Sequence, residues 1–386
     1  MEVDKLENSF DVAIVGGGIN GASIAYQLSK IGRKVIIIEK NQLACQASSA
    51  AAGMLAAQAE LEQDGPLYQM ALKSQKMFSD LSSELFEYSG VDIEYVNKGL
   101  LKIAESEEIA LEVKKQVTFQ RNWDPAIKWL DTKELREMEP SLSSSLAGGM
   151  YLPNDGHVQP AKLTQAFAKA SVNFGAEIRQ NTEVLSFKFE NSQVKGVITS
   201  NGIVNCDQVV VATGAWAAKL MRESGIDISV YPVKGECFSI RTEKPIINTT
   251  IFSDKRCYLV PKRNGEIYIG ATMIENTYDN TVTPKGIASL IERATQLVPQ
   301  IEDAAWERVW SGIRPQTGDG IPYIGEHPRW KGLFVAAGHF RNGILLSPIT
   351  GKLVAELVAG SLQNEDLLSA FQLERHKDKV RQEVKT

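Results

Sequence analysis

The stretch Asp11-Val-Ala-Ile-Val-Gly-Gly-Gly-Ile-Asn-Gly21 decides the fold, because it runs from an apolar strand through a glycine turn into a helix. Gly16, Gly18 and Gly21 have the G-x-G-x-x-G spacing. The first glycine permits a tight turn, the second lets the backbone approach a pyrophosphate, and the third allows close packing of helix on strand. The diphosphate then lies at the N-terminus of that helix. This stretch predicts a dinucleotide-binding βαβ unit.

A second strand, Lys34-Val-Ile-Ile-Ile-Glu39, follows and ends on an acid. Glu39 lies 18 residues beyond Gly21. That is close to the roughly 20 residues expected for the carboxylate that accepts both hydroxyls of an adenosine ribose. The acid therefore indicates a dinucleotide with an unphosphorylated ribose.

Length and composition describe an ordinary globular chain. Its 386 residues are enough for two domains, and 43% of them are hydrophobic and 23% charged. The net charge of −5, with no cluster of Lys and Arg, argues against nucleic acid as the main partner. No run approaches 18 apolar residues and residues 1–8 lack an apolar signal segment, so we expect a cytoplasmic protein without a membrane span.

The four cysteines indicate neither a metal site nor a disulfide framework. They are far apart in sequence and form no C-x-x-C pair. We expect them to be small buried or half-buried residues, and no metal is predicted. They are Cys45, Cys206, Cys237 and Cys257.

Apolar periodicity predicts helices over residues 66–88, 161–174 and 344–358. The run Gln208-Val-Val-Val-Ala-Thr-Gly-Ala-Trp216 is typical of a central parallel strand whose end points at a ligand crevice. A second glycine turn, Gly338 to Gly343, precedes the last of these helices and can direct backbone N–H groups at an anion.

A hairpin is predicted between Cys257–Pro261 and Glu266–Thr272. Because Pro261 lacks a ladder donor, a four-residue loop over 262–265 is favoured. An even-length loop pairs even-numbered with odd-numbered residues. The residues then predicted to share one face are Tyr258, Ile269, Ala271 and Met273.

Together these segments resemble the FAD-dependent amino-acid and amine oxidases of the D-amino-acid oxidase and sarcosine oxidase type, and among them the glycine oxidases linked to thiamine synthesis. The resemblance covers about residues 9–372. It is carried by Val15-Gly-Gly-Gly-Ile-Asn-Gly21, Ser49-Ala-Ala-Ala-Gly-Met54, Val233-Lys-Gly-Glu236, Cys257-Tyr258, Gly270-Ala-Thr-Met273, Gly312-Ile-Arg-Pro315 and Ala337-Gly-His-Phe-Arg-Asn-Gly-Ile-Leu345.

The resemblance implies an α/β fold in which a Rossmann-like FAD-binding domain is interleaved with an α+β substrate domain built on an antiparallel sheet. The FAD-binding domain is expected to comprise residues 1–88, 150–228 and 310–386. The substrate-binding domain is expected to comprise residues 89–149 and 229–309. The resemblance also implies a set of residues that contact the cofactor. These are Gly16, Gly18, Ile19, Asn20, Gly21, Glu39, Ser48, Ser49, Ala52, Gly53, Met54, Val184, Thr213, Gly214, Trp216, His339, Phe340, Arg341, Asn342, Gly343, Ile344 and Leu345.

The expected chemistry is oxidation of glycine or another small amine, with hydride transfer from Cα to flavin N5 and reduction of O2 to H2O2. An arginine suits the substrate carboxylate, because its planar guanidinium forms two parallel charge-assisted hydrogen bonds. Arg314 occupies the carboxylate-binding position of the family, and Tyr258 donates to the same carboxylate. The resemblance places Arg341 at the border of the active site and Met273 in the pocket wall.

Histidines are assigned minor roles. His339 is interpreted as a structural hydrogen-bonding residue, and His157 receives no catalytic role. The polar surroundings of His327 and His376 indicate exposure.

Some relatives attach flavin covalently through a histidine near the first glycine turn or a cysteine near the last one. Residues 46–54 hold no histidine and 310–345 no cysteine, so FAD is expected to be noncovalent. The resemblance further implies a homotetramer.

Alternative functions remain open at this level. A sarcosine or other secondary-amine oxidase needs the same carboxylate arginine and differs only in the room around nitrogen. The chain could also be an NAD-dependent dehydrogenase, a silent flavin sensor, or a dehydrogenase subunit that passes electrons to a partner. Arg256, beside Tyr258, is an additional cation that leaves specificity open.

Overall fold

The protein is described by a computed structural model covering residues 9–253, 257–362 and 365–375. Its strands are β1 Ser9–Val15, β2 Val35–Ile38, β3 Met54–Leu55, β4 Leu100–Ala104, β5 Lys128–Leu130, β6 Gly148–Leu152, β7 Gly156–His157, β8 Glu177–Arg179, β9 Val184–Glu190, β10 Gln193–Thr199, β11 Gly202–Val211, β12 Val230–Arg241, β13 Thr250–Ser253, β14 Cys257–Pro261, β15 Glu266–Gly270, β16 Ile274–Glu275, β17 Ala305–Thr317, β18 Tyr323–Glu326 and β19 Leu333–Ala337.

The structure contains the three helices that periodicity predicts, at Pro66–Ser89, Pro160–Asn173 and Gly343–Ala359. The α-helices are α1 Ile19–Lys30, α2 Ala47–Ala50, α3 Ala57–Glu60, α4 Pro66–Ser89, α5 Glu107–Gln120, α6 Thr132–Met138, α7 Pro160–Asn173, α8 Ala217–Arg222, α9 Pro284–Leu297, α10 Gly343–Ala359 and α11 Glu365–Ser369. Short 3-10 segments lie at Gly214–Trp216, Arg263–Gly265, Pro299–Asp303 and Phe340–Asn342.

The first sheet has a parallel centre in the order β19-β11-β1-β2-β8. β18 pairs antiparallel with β19, and β9 and β10 extend antiparallel from β11. Val12, Ile14 and Ile37 project from the strands into a core shared with α1, α4, α7 and α10. Because β1, β2 and β19 are buried along their central residues, their sequences are apolar runs rather than alternating ones. The predicted α/β class is confirmed.

The second sheet runs in the order β16-β12-β15-β14-β13-β4-β6-β5, and β17 pairs along the other side of β12. Its neighbours are antiparallel except β13 and β4, which are parallel. Helix α9 covers one face, with Ile287 and Leu290 in a core that includes Phe238 and Ile240. β6 and β17 run across residues 150 and 310, two of the predicted domain limits, and both belong to this sheet. The domain ranges themselves stay a prediction.

The hairpin of β14 and β15 is confirmed, but its register differs from the predicted one. The observed pairs are Tyr258 with Gly270, Leu259 with Ile269 and Val260 with Tyr268. Lys262 N donates to Glu266 O at 2.6 Å, so the turn is the three-residue segment Arg263–Gly265. An odd-length loop pairs residues of equal parity, which puts Ile269 on the opposite face from Tyr258. The predicted shared face of these two residues was wrong.

Two long strands, β12 and β17, form a ribbon that reaches from one core to the other. They pair from Val230 with Thr317 to Arg241 with Ala305. Val230 packs in the core beside the first sheet, whereas Phe238 lies in the core under α9. Within the described ranges, no helix is both long and apolar enough to cross a membrane.

Candidate active site

A cavity of about 580 Å³ lies between the two sheets. One end is lined by the glycine turn after β1 and the other by β14 and β17, and the turn before α10 borders both. Polar groups gather at these two ends. The cavity is large and concave, as expected for a cofactor site with room for a small substrate.

The glycine turn after β1 can exist only with glycines at its two ends. Gly16 has φ +108°, and a Cβ there would lie 2.5 Å from Ala212 O. A Cβ on Gly21 would lie 2.0 Å from Gly16 O, where helix and strand meet. These contacts match the turn and packing roles that the sequence predicts.

Glu39 and Ser48 shape the cavity wall around this turn. The Glu39 carboxylate accepts from Gly17 N at 2.7 Å and from Asn41 N at 2.9 Å. Each carboxylate oxygen keeps a second lone pair, so the group can also accept ribose hydroxyls. Ser48 Oγ accepts from Ile19 N at 2.9 Å, which satisfies one of the N-terminal amides of α1.

Among the described residues, three buried polar atoms at the cofactor end have no hydrogen-bond partner. They are Asn20 Oδ1 and Thr213 Oγ1, next to the glycine turn, and His339 Nδ1, before α10. Buried polar groups normally have a hydrogen-bond partner, so orphaned atoms along one cavity indicate a polar ligand. Together with the glycine turn and Glu39, they fit a bound FAD.

His339 lies at the flavin end as a neutral group. It is 3% exposed, and its Nε2 lies 3.1 Å from Thr350 Oγ1. Burial lowers the pKa of His339 to about 3. The ring is therefore uncharged at neutral pH and is a very weak base.

Arg314 brings a positive charge to the other end of the cavity. It projects from β17, half-buried, and its Nη1 donates to Thr272 O at 3.3 Å. A Cβ on Gly235 would lie 2.3 Å from Arg314 Nη2, so glycine is what leaves space for the guanidinium on β12. Within the described ranges, no ion pair engages this arginine. The remaining donors suit a carboxylate ligand.

Tyr258 lies beside Arg314 in the same cavity. It is 8% exposed, and its hydroxyl lies 3.5 Å from Cys237 Sγ. Burial raises the pKa of the Tyr258 phenol well above its ordinary value. The hydroxyl therefore stays protonated and can donate a hydrogen bond.

A second cation, Arg341, borders this end but is already paired. Its guanidinium contacts both oxygens of Glu60, with Nε 2.8 Å from Oε2 and Nη2 3.1 Å from Oε1. It also lies 5.7 Å from the centre of the Phe252 ring. Met273 lines the wall nearby, half-buried. The pair leaves Arg314 as the better carboxylate ligand.

Residues 11–357 match the family described as FAD dependent oxidoreductase. The chain belongs to the FAD dependent oxidoreductase family. It is 47% identical to the glycine oxidase of Geobacillus kaustophilus, over 97% of this chain and 99% of that protein. A crystal structure of glycine oxidase from Geobacillus kaustophilus superposes with a TM-score of 0.93 at 47% identity, covering 96% of this chain and 99% of that one.

A further relative is the bifunctional protein ThiO/ThiG of Synechocystis sp., with 33% identity over 96% of this chain and 54% of that protein. These findings confirm the predicted family and the dependence on FAD. The family match therefore supports FAD rather than NAD as the cofactor.

Most of the residues predicted to bind cofactor in this FAD dependent oxidoreductase line the cavity, but four do not. Gly21 packs against the Gly16 carbonyl, Ser49 Oγ donates to Gln46 O at 3.2 Å, and Leu345 is 1% exposed in the core. Asn342, the fourth, ends the 3-10 segment before α10. All four residues predicted as catalytic line it, namely Tyr258, Met273, Arg314 and Arg341.

Two further histidines, His157 and His327, are buried outside the cavity. His157 is buried, 3.4 Å from Thr250 Oγ1, and burial lowers its pKa to about 2. His327 is 3% exposed and accepts from the backbone N–H groups of Arg329 and Trp330, so its predicted exposure was wrong. Arg256 and His376 lie outside the described residues.

Three groups at the site had no role in the sequence prediction. Glu60 pairs with Arg341, Phe252 supplies a ring to the wall, and Cys237 contacts Tyr258. Cys237 lies one residue after a motif that carries the family resemblance, which was a usable signal. Glu60 and Phe252 lie in unremarkable stretches and come to the site through long-range pairing.

The segment Ala52–Met54, predicted to lie against the cofactor, is fixed from behind by a half-buried lysine. Lys262 Nζ donates to Ala52 O at 2.7 Å and to Val158 O at 2.8 Å. The ammonium also lies 5.2 Å from the centre of the Tyr268 ring. Lys262 thus connects the β14–β15 turn to the cofactor-facing wall.

Proposed function

We propose that this protein is an FAD-dependent glycine oxidase. It converts glycine, and other small amines such as sarcosine or small D-amino acids, to the corresponding imine, which water hydrolyses; from glycine the products are glyoxylate and ammonia. O2 is reduced to H2O2. The observation that carries the proposal is the Arg314 guanidinium, which lines the cavity beside the Tyr258 hydroxyl and forms no ion pair within the described ranges. Full-length similarity to a glycine oxidase supports it.

In this proposal Arg314 binds the substrate carboxylate through two parallel hydrogen bonds, and Tyr258 donates a third. Fixing the carboxylate at this end orients Cα toward the flavin end of the cavity, which lowers the barrier by positioning. FAD held by the residues of the cofactor end would supply the hydride acceptor and the route of the two electrons to O2. Met273 and Phe252 supply an apolar wall that keeps water away from Cα.

Hydride transfer from a neutral amine needs no strong base at Cα, and the side chains agree with this. Burial lowers the pKa of His339 to about 3 and raises that of Tyr258. Neither group accepts a proton readily at neutral pH. The nearby Glu60 carboxylate is engaged by Arg341.

Arg341 has a secondary place in the proposal. Its pairing with Glu60 puts a neutral polar unit at the border of the cavity rather than a second carboxylate ligand. We propose that it shapes the entrance, together with the turn before α10.

The direct test is a peroxide assay of the purified flavoprotein with glycine, sarcosine and small D- and L-amino acids. We expect peroxide with glycine. Peroxide with sarcosine but not glycine would indicate a secondary-amine oxidase. Flavin bleaching without peroxide would indicate a dehydrogenase subunit that passes electrons to a partner protein.

We also propose a cytoplasmic homotetramer and a role in thiamine synthesis, both from the family resemblance. Light scattering on the purified protein tests the tetramer. Growth of a deletion strain with and without added thiamine tests the pathway.

A further inference from the structure

Two buried charged residues on β12 take no part in the proposed mechanism. Lys234 is 3% exposed and Glu236 is fully buried. Both lie in the stretch Val233-Lys-Gly-Glu236, and Gly235 between them faces Arg314. Because strand residues alternate, the charged pair points away from the cavity, toward α9.

The Glu236 carboxylate is enclosed by donors. Oε1 accepts from Thr283 N at 2.8 Å and lies 3.7 Å from Lys234 Nζ, and Oε2 accepts from Thr272 Oγ1 at 3.1 Å. A Cβ on Gly286 would lie 1.7 Å from Oε2, so the first turn of α9 closes directly on the carboxylate. Such a carboxylate has one position available to it.

Thr272 is tied to Glu236 at three points. Its hydroxyl accepts from Glu236 N at 2.8 Å while donating to the carboxylate, and its own N–H donates to Glu236 O at 3.2 Å. The other side of Thr272 lines the cavity, next to Met273. The orientation of the Thr272 peptide is therefore set from behind the sheet.

The Thr272 carbonyl in turn accepts from Arg314 Nη1 at 3.3 Å. Gly235 beneath the guanidinium has no side chain to hold it, so the Thr272 carbonyl serves as its anchor. An arginine side chain has four rotatable bonds and loses much conformational entropy when its guanidinium is fixed. An anchor that fixes the guanidinium before substrate arrives therefore strengthens carboxylate binding.

We propose that Glu236 is a positioning residue for the substrate carboxylate: acting through Thr272, it fixes the guanidinium of Arg314. The inference rests on the proposed function of Arg314. Glu236 touches neither the cavity nor the cofactor end, so its effect is on substrate binding rather than on flavin.

The test uses the purified holoenzyme and the variants Glu236→Gln and Thr272→Val. Glycolate, which has the carboxylate of glycine and a hydroxyl for its amine, serves as the binding probe in a titration of the flavin absorbance. We expect each variant to raise the glycine KM and the glycolate Kd about fivefold, the weight of one hydrogen bond, with a smaller change in kcat. FAD content should remain that of the wild type.

A matched control is Glu139→Gln. Glu139 is also fully buried and accepts from Thr249 N and Thr249 Oγ1, both at 2.7 Å, but it has no link to Arg314. This variant should lose stability and keep the wild-type KM. An equal rise in KM here would overturn the inference, because any buried carboxylate would then have the same effect.

A double-mutant cycle separates positioning from general damage. In an Arg314→Ala background, adding Thr272→Val should cause no further loss of glycolate affinity, because the group it positions is gone. A full additional loss would overturn the inference. So would wild-type KM and Kd values in the folded Thr272→Val variant, which also carries the test should Glu236→Gln not fold.

Failure of the proposed function gives a different result. In that case the wild type itself releases no peroxide with glycine and binds no glycolate. A wild type that does both, with unaffected variants, rejects only the role of Glu236.

Discussion

Arg341 and Glu60 form a two-point ion pair at the border of the cavity, with Nε–Oε2 at 2.8 Å and Nη2–Oε1 at 3.1 Å. Glu60 is nearly enclosed, since only 9% of its side chain is exposed. Two guanidinium groups thus border the same cavity, and the charge of Arg341 is neutralised by a carboxylate of the protein. A carboxylate that approaches Arg341 must compete with Glu60, whereas at Arg314 it meets a cation without an ion-pair partner within the described ranges.

Arg314→Ala should raise the glycine KM more than tenfold while FAD stays bound. Removal of one partner of a buried charge pair typically costs about 2–5 kcal/mol, since the other charge is left unpaired. Arg314→Lys should restore part of the affinity only, because an ammonium cannot form the two parallel bonds. Steady-state kinetics with peroxide detection measures both variants.

Arg341→Ala is the comparison for Arg314→Ala. We expect a smaller rise in KM, because the lost partner is Glu60 rather than substrate. If the Arg341 variant loses more affinity than the Arg314 variant, the substrate carboxylate binds at Arg341.

Tyr258→Phe should lower kcat/KM about fivefold and leave the flavin spectrum almost unchanged. The substitution keeps the ring and removes one hydrogen bond, whose net value is about 1 kcal/mol. Tyr268→Phe is a matched control, because Tyr268 packs in the same core but does not line the cavity. Unfolding or loss of FAD in the Tyr258 variant would make this residue a core residue instead.

Acid precipitation should release all of the flavin into the supernatant. Cys237 and Cys257 line the cavity, but burial raises the thiol pKa of both, to about 12 for Cys257. Protonated thiols are poor nucleophiles, so neither is suited to attach to the ring. Yellow colour that persists in a washed pellet would show a covalent bond.

Lys262→Met should change how stability depends on pH. Burial lowers the pKa of this half-buried lysine from 10.5 to about 7, against the charges of Glu94 and Glu266. Between those values the unfolded chain binds a proton that the folded protein lacks. The free energy of unfolding therefore gains a contribution that rises with pH, by up to about 1.4 kcal/mol per unit.

The methionine variant lacks this contribution, so the difference in free energy of unfolding between wild type and variant should grow in favour of wild type from pH 7 to 10. Urea unfolding at several pH values measures it. Lys133→Met, at a lysine whose side chain is 85% exposed, should show no such trend. A flat difference for Lys262→Met would mean that this lysine keeps its ordinary pKa.

Local patterns in the sequence were enough for the nucleotide-binding half. The glycine spacing from Gly16 to Gly21 and the acid at Glu39 depend on contacts within one βαβ unit, so residues near in sequence carry the information. The prediction of which hairpin residues share a face was wrong because adding or removing one loop residue changes the register. Pro261 does not determine the length of the loop. The prediction that His327 is exposed was wrong because its partners are backbone N–H groups, which every sequence has and which the residue types nearby do not reveal.

The substrate end could be predicted only through the family resemblance. Arg314 was assigned in this way, but its surroundings depend on residues far along the chain. Glu60 meets Arg341 across 281 positions, and Glu236 meets Thr272 across 36. No local period or motif reports such pairs, because they arise from the packing of separate sheets.

The ribbon of β12 and β17 limits the motion of the two halves of the enzyme relative to each other. Its pairing runs from Val230 to Arg241 with one register shift, between Ser239 and Ile240, and its two ends lie in different cores, so it is a stiff connection between them. A hinge that swung the two halves apart would have to break this ladder. Substrate and oxygen must therefore enter through movements of short segments around the cavity, and calorimetry should record one melting transition for the whole molecule rather than two.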